Sequence, residues 1–129
     1  MLLDDIKDYL EQENIEGTIY LGQLAPSPDD CIALFEYAGE PPDLHWEGEY
    51  PGLQVIARAK KYTDARSTIE QVKNVLHGVV EETINGTRYL LIHARQSPET
   101  LGKDENGRQL FVVNFRIIKE VSTNGESNG

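Results

Sequence analysis

The side chains able to do chemistry in this sequence are three histidines, one cysteine and 22 acidic residues. Cys31 with a histidine could form an activated thiolate nucleophile. It opens the near-continuous apolar run 31–37, however, and reads first as a small buried hydrophobe. His45, His77 and His93 fall in a loop, at a helix end and in a strand, without the close ligand spacing that marks a metal site. His77 reads more simply as a polar or cationic group at a helix C-terminus. Carboxylates adjoin at Asp29-Asp30, Glu81-Glu82 and Asp104-Glu105. An acid–base pair would need burial to split their pKa values, and all three pairs read as solvated surface. Asp104-Glu105-Asn106-Gly107 has the composition of a calcium loop but not the ligand spacing of an EF-hand, so it reads as a turn. The phosphate-binding, dinucleotide-binding, zinc-protease and serine-hydrolase motifs are absent. The sequence therefore assigns no catalytic residue, no metal ligand and no cofactor.

One stretch reads as contact material. Residues 39–52 hold three prolines and three glycines, which disfavours regular structure. A loop of that length in a compact domain is usually functional or disordered. Trp46 and Tyr50 are of the types that anchor protein interfaces; the alternative is that Trp46 folds back over its own core as a lid.

The elements that must position these groups follow from periodicity. Leu2, Leu3, Ile6, Tyr9 and Leu10 recur at helical spacing, which predicts an amphipathic helix over 2–13. Asp4 and Asp5 lie in its first turn, where the helix dipole favours negative charge. Segments 18–24 and 31–37 predict strands, able to form a hairpin across the proline-rich turn between them. Leu53, Val55, Ala57 and Ala59 alternate with Gln54, Ile56, Arg58 and Lys60, the pattern of a strand with one apolar face. Thr63 or Asp64 should cap the next helix. Its apolar stripe is Ala65, Ile69, Val72, Leu76 and Val79, with His77-Gly78 as the stop signal. Asn85-Gly86 predicts a hairpin turn between 80–84 and 87–94.

Residues 97–107 read as a polar loop. Residues 109–119 read as the last strand, with Phe111, Val113, Phe115 and Ile117 on one face. That strand is either an edge open to a neighbour's sheet or, preferably, a central strand. Residues 121–129 read as a disordered tail, which leaves 1–120 as a single domain. The class is α+β: a mostly antiparallel sheet of five or six strands with two helices packed on one face. The strand 53–60, the helix and a return strand fit one right-handed crossover.

Charge excludes further functions. Twelve basic against 22 acidic residues give a net −10 over 129 residues. Nucleic-acid affinity comes mainly from neutralising phosphates, so this chain makes a poor DNA binder and a poor partner for anionic membranes. The densest basic run is only Arg58, Lys60 and Lys61. No apolar run approaches the roughly 20 residues that span a bilayer. The acidic N-terminus is unlike a signal peptide, which predicts synthesis and folding in a cytoplasm.

Six segments taken together carry a likeness to a known family. They are Phe35-Glu36-Tyr37-Ala38-Gly39-Glu40-Pro41-Pro42, Glu49-Tyr50-Pro51-Gly52-Leu53-Gln54-Val55 and Asn85-Gly86-Thr87-Arg88-Tyr89, then Gln96-Ser97-Pro98, Leu101-Gly102-Lys103-Asp104-Glu105-Asn106-Gly107-Arg108 and Phe111-Val112-Val113-Asn114-Phe115. In that order they resemble the minor capsid protein family of tailed bacteriophages and prophages of Gram-positive bacteria, whose members are similar to tail terminator, or tail-to-head joining, proteins. The resemblance covers roughly residues 33–120 and carries no catalytic signature.

It implies a virion structural protein, made in the bacterial host cytoplasm and placed at the head–tail interface. Its partners would be further copies of itself in a ring, typically a hexamer, together with the tail tube protein and the head–tail connector protein. No membrane, specific nucleic acid or cofactor is implied, and no chemistry is catalysed. The matching motifs mark Glu40, Pro41, Pro42, Leu44, His45, Trp46, Tyr50, Leu101, Lys103 and Arg108 as candidate protein-contact residues. The competing readings are a small monomeric or dimeric α+β protein-binding module, and an enzyme whose acid pair is assembled only by folding.

Overall fold

The computed structural model describes residues 1–41 and 47–121. Along the chain come α1 (Leu2–Gln12), β1 (Thr18–Leu21), β2 (Cys31–Glu40), β3 (Gly48–Ala59), α2 (Tyr62–Leu76), β4 (Val79–Ile84), β5 (Thr87–Ala94), β6 (Glu99–Lys103) and β7 (Gln109–Glu120). The strands form one seven-stranded sheet in the order β1-β2-β3-β7-β5-β4, with β6 also paired to β7. The α+β class agrees with the sequence, but the sheet has seven strands and is mixed.

Three expectations change, each for a physical reason. The segments 18–24 and 31–37 do not form a hairpin: β1 runs parallel to β2, with Thr18 opposite Cys31 and Leu21 opposite Leu34. The chain between them is long enough to return along a four-residue strand at about 3.3 Å per residue. The polar loop 97–107 contains β6, which pairs with the first half of β7. Its strand-forming contribution is backbone pairing alone, since all five of its residues are exposed, so it left no apolar signal. The crossover also fails. β3, β7, β5 and β4 are joined by successive antiparallel pairings, so β4 runs antiparallel to β3. The helix between them packs against β3, β7 and β5 in turn.

β7 is central, flanked by β3 on one side and by β5 and β6 on the other. α2 starts two residues early, with Lys61 at the N-cap and no side-chain cap bond; Thr63 and Asp64 lie inside its first turn. The stop at His77-Gly78 holds, with Gly78 at a φ of 88° that suits glycine. Of the expected tail, 121–129, only Val121 is described, its N–H donating to the Glu47 carbonyl at 3.0 Å; the rest lies outside the described residues.

The core follows the predicted stripes, except that Val79, assigned to the α2 stripe, opens β4. Ala65, Ile69, Val72 and Leu76 of α2 and Leu2, Leu3, Ile6 and Leu10 of α1 are buried. They share one apolar cluster with Val55 and Ala57 of β3, Phe111, Val113, Phe115 and Ile117 of β7, and Tyr89 and Ile92 of β5. Each such large side chain contributes about 1.5–3 kcal/mol by burial. α1 touches β1 and β2 at one margin of the sheet and β4 at the other, so the sheet curls around it.

Candidate contact surfaces

The two ends of the sheet are built differently. At one end β2 and β3 continue as an arm. β1 covers β2 only as far as Leu34, and all residues from Glu36 to Glu40 are exposed. Tyr37 pairs with Gly52 and Glu40 with Tyr50, so Ala38 and Gly39 together oppose Pro51 in a β-bulge. Two glycines make this geometry possible. A Cβ on Gly39 would overlap the backbone carbonyl of Tyr50, and one on Gly52 would run into the ring of Tyr37.

Ion pairs fasten the arm to the sheet. Arg116 Nη2 donates to Glu40 Oε1 at 3.1 Å, and its guanidinium lies 5.9 Å from the centre of the Tyr50 ring. Lys119 Nζ, itself buried, donates to Glu49 Oε1 at 2.7 Å. Beside the arm, Arg88 of β5 bridges Glu81 of β4 and Glu120 of β7 at 2.9 and 2.7 Å. Glu40 and Tyr50, both marked by the sequence, are thus brought together on the arm, and Pro41 follows them, exposed. Pro42, Leu44, His45 and Trp46 lie outside the described residues, and with them the choice between an interface and a lid for Trp46.

At the other end the turn between β6 and β7 is held from within. Asp104 Oδ1 accepts the backbone N–H groups of Asn106 and Arg108, both at 2.9 Å, while Oδ2 accepts Arg108 Nε at 2.8 Å. The backbone bond from Arg108 is the main reason that the Asp104 carboxyl is held below the usual carboxylate range. Leu101 and Lys103 are exposed beside this turn, Leu101 by half. Arg108, marked as a contact residue, is only 7% exposed. Its guanidinium is turned onto its own chain, donating to the Pro26 carbonyl at 2.6 Å and to Asp29 Oδ1 at 3.3 Å.

Arg58 was missed by sequence reasoning. It sits in the exposed half of an alternating strand, yet it is buried, with Nε on the Asp29 carbonyl at 3.0 Å and Nη2 on the Pro28 carbonyl at 2.6 Å. The Tyr20 hydroxyl donates to the Ser27 carbonyl at 2.5 Å. Four consecutive carbonyls, Pro26 to Asp29, are therefore caught by side chains from β1, β3 and the turn before β7. The loop between β1 and β2 and the turn between β6 and β7 become one rigid platform.

Among the described residues the chemistry-bearing side chains do not converge. Cys31 is buried, burial pushes its thiol up, and its charged neighbours are Arg58, Arg108 and Asp30. His77 and His93 have ring centres 4.8 Å apart, but His77 Nδ1 already accepts the Ala94 N–H at 2.9 Å. Among the described residues no three His, Cys, Asp or Glu side chains are grouped to hold a metal ion, and no helix is long and apolar enough to cross a membrane.

The model of the bacteriophage tail terminator protein family matches residues 2–121. The chain belongs to that family. The match takes in both the arm and the clasped platform, and it makes this tail terminator a structural protein of a bacteriophage virion. No curated protein matches the sequence. Among solved structures, a chain from the virion of a native gene transfer agent particle has the same fold, with a TM-score of 0.74 at 14% identity, over 93% of this chain and 95% of that one.

Proposed function

We propose that copies of this tail terminator form a closed ring, six copies in number, which caps the tail tube and meets the head–tail connector. The observation that carries this reading is the placement of the two motif-bearing surfaces. The tip of the arm and the platform lie at opposite ends of β3 and β7, with the twelve residues of β3 running between them, or roughly 40 Å at about 3.3 Å per residue. A ring whose subunits stand with those ends up and down offers each face to a different partner. Both surfaces are stiffened by ion pairs and side-chain bonds to backbone, which lowers the ordering cost of docking. The work is shape-matched contact, without catalysis.

Charge fits a passage for DNA. Six copies at −10 each carry −60, and acids facing the lumen would repel phosphates. The deciding experiment compares particles made with and without this protein. Tails of uncontrolled length, or tails that fail to join heads, are expected in its absence. Intact, infectious particles lacking it would overturn the reading.

A further inference from the structure

We propose that neighbouring copies in the ring join edge to edge, β4 of one lying alongside the arm portion of β2 in the next, so that one sheet runs on from copy to copy. This rests on the ring reading and adds the surface that closes the ring.

The first support is what each margin leaves unpaired. Among the described residues nothing pairs with the outer edge of β2 beyond Leu34, and the strand continues to Glu40. At the opposite margin β4 pairs, among the described residues, only with β5. Its residues between Val79 and Ile84 are exposed, with Val80 at 59%. An unpaired edge presents backbone N–H and C=O groups that can template another strand.

Level and direction supply the second support. Glu40 pairs with Tyr50. The ladder that sets Gly52 opposite Arg116 and Glu49 opposite Lys119 brings Tyr50 level with Ile118. Ile118 pairs with Leu91, and Leu91 with Val80. Glu40 and Val80 therefore stand at the same height on opposite margins. Four antiparallel steps separate β2 from β4, so the two strands run in the same sense across the curled sheet. A copy rotated about an axis along the strands keeps both height and direction. Its β4 then meets β2 in parallel, the sense in which β1 already pairs with β2 just above.

The two edges differ in sequence, so the contact is heterologous and each copy offers one half of it; such contacts close into rings when the rotation permits. Both edges also carry devices against indiscriminate pairing. β2 has its bulge and glutamates 36 and 40, and β4 has Glu81 at a φ of 55° beside Glu82. These disfavour random strands, while a neighbouring copy held in the ring presents the same level and direction each time.

The test uses particles assembled with a terminator carrying Ala38→Cys and Val80→Cys, treated with a short thiol-to-thiol crosslinker; the native Cys31 is buried. The double variant is expected to give a ladder of bands up to the hexamer. Each single variant should remain monomeric, and a mixture of the two single variants should stop at dimers. Dimers from one single variant, or no ladder from particles that contain the double variant, would overturn the edge contact. Should the double variant fail to enter particles, amide exchange on the wild-type protein decides. Assembly must slow exchange in both 35–40 and 79–84, and unchanged exchange in either sinks the proposal. Copy number per particle is counted separately. Six copies without a ladder defeat only the edge contact, whereas the absence of any ring defeats the reading beneath it.

Discussion

The Tyr89 hydroxyl donates a 2.7 Å hydrogen bond to Asp5 Oδ2 across 84 residues of sequence, with both residues buried. Asn85 Nδ2 donates to the other carboxylate oxygen at 3.1 Å, and the N-terminal ammonium stands 3.9 Å from it. The bond ties α1 to β5 inside the curl of the sheet. Replacing Tyr89 with Phe keeps the ring's packing and removes one donor from a buried carboxylate. The expected cost is about 2 kcal/mol, read as a lower urea midpoint at unchanged slope. A loss within experimental error would show that the bond contributes nothing net.

The same contact sets an alkaline limit. Burial, then the hydrogen bond and charge of Asp5, push the Tyr89 phenol far above its ordinary value. The unfolded chain releases that proton near pH 10, while the folded chain keeps it, so the native state binds the extra proton. Stability from this group is complete below about pH 10 and falls as pH rises further, by about 1.4 kcal/mol per unit. Urea midpoints measured from pH 9 to 11.5 should decline in the wild type, and Tyr89→Phe should lose this contribution to the decline.

The two arm glycines should respond differently to alanine. At Gly39 the obstacle is the Tyr50 carbonyl in the backbone of the paired strand, which moves only if the bulge is remade. At Gly52 it is the Tyr37 ring, itself 37% exposed and able to swing outward. Gly39→Ala should cost about 1–3 kcal/mol and Gly52→Ala clearly less, as measured by chemical denaturation. Equal losses would contradict the distinction.

The helices and central strands were legible because their apolar residues recur at fixed periods. Ile69 and Val72 on α2, and Val113 and Phe115 on β7, are buried as their spacing requires. The arm was legible as motif but not as structure: a proline-rich stretch hid the continuation of both strands, since Pro51 occupies a bulge where its missing N–H is tolerated. Arg58 and Asp5 were illegible for a shared reason. Each carries a charge that reads as solvated, and each is buried by a segment distant in sequence, the 26–29 loop for Arg58 and Tyr89 for Asp5. The parallel sense of β1 was likewise invisible, because strand pattern does not encode direction.

Arg108 should act as a positioning residue for the platform. It reaches the Pro26 carbonyl and the Asp104 and Asp29 carboxylates at once, which a planar guanidinium can do and a single ammonium cannot. Both Arg108→Ala and Arg108→Lys are expected to speed amide exchange at Ser27, Asp29 and Asp30 while leaving the amides of α2 protected. Protection of the loop retained in the lysine variant would show that charge alone, rather than the fork of donors, holds it.

Salt should strengthen assembly. Each copy carries −10, and the cations at the arm end, Arg88, Arg116 and Lys119, are already paired within the chain. Apposed copies therefore meet mainly as like charges, whose repulsion opposes association. At physiological ionic strength exposed charges are screened beyond about 8 Å, and at 1 M beyond about 3 Å. Sedimentation velocity at rising sodium chloride should shift this tail terminator from the single chain toward larger species. The same shift should appear at lower salt when Glu36 and Glu82, exposed on the two proposed edges, are changed to Gln. Assembly that weakens as salt rises would mean that attractive ion pairs between copies dominate, and it would place the interface away from these acidic margins.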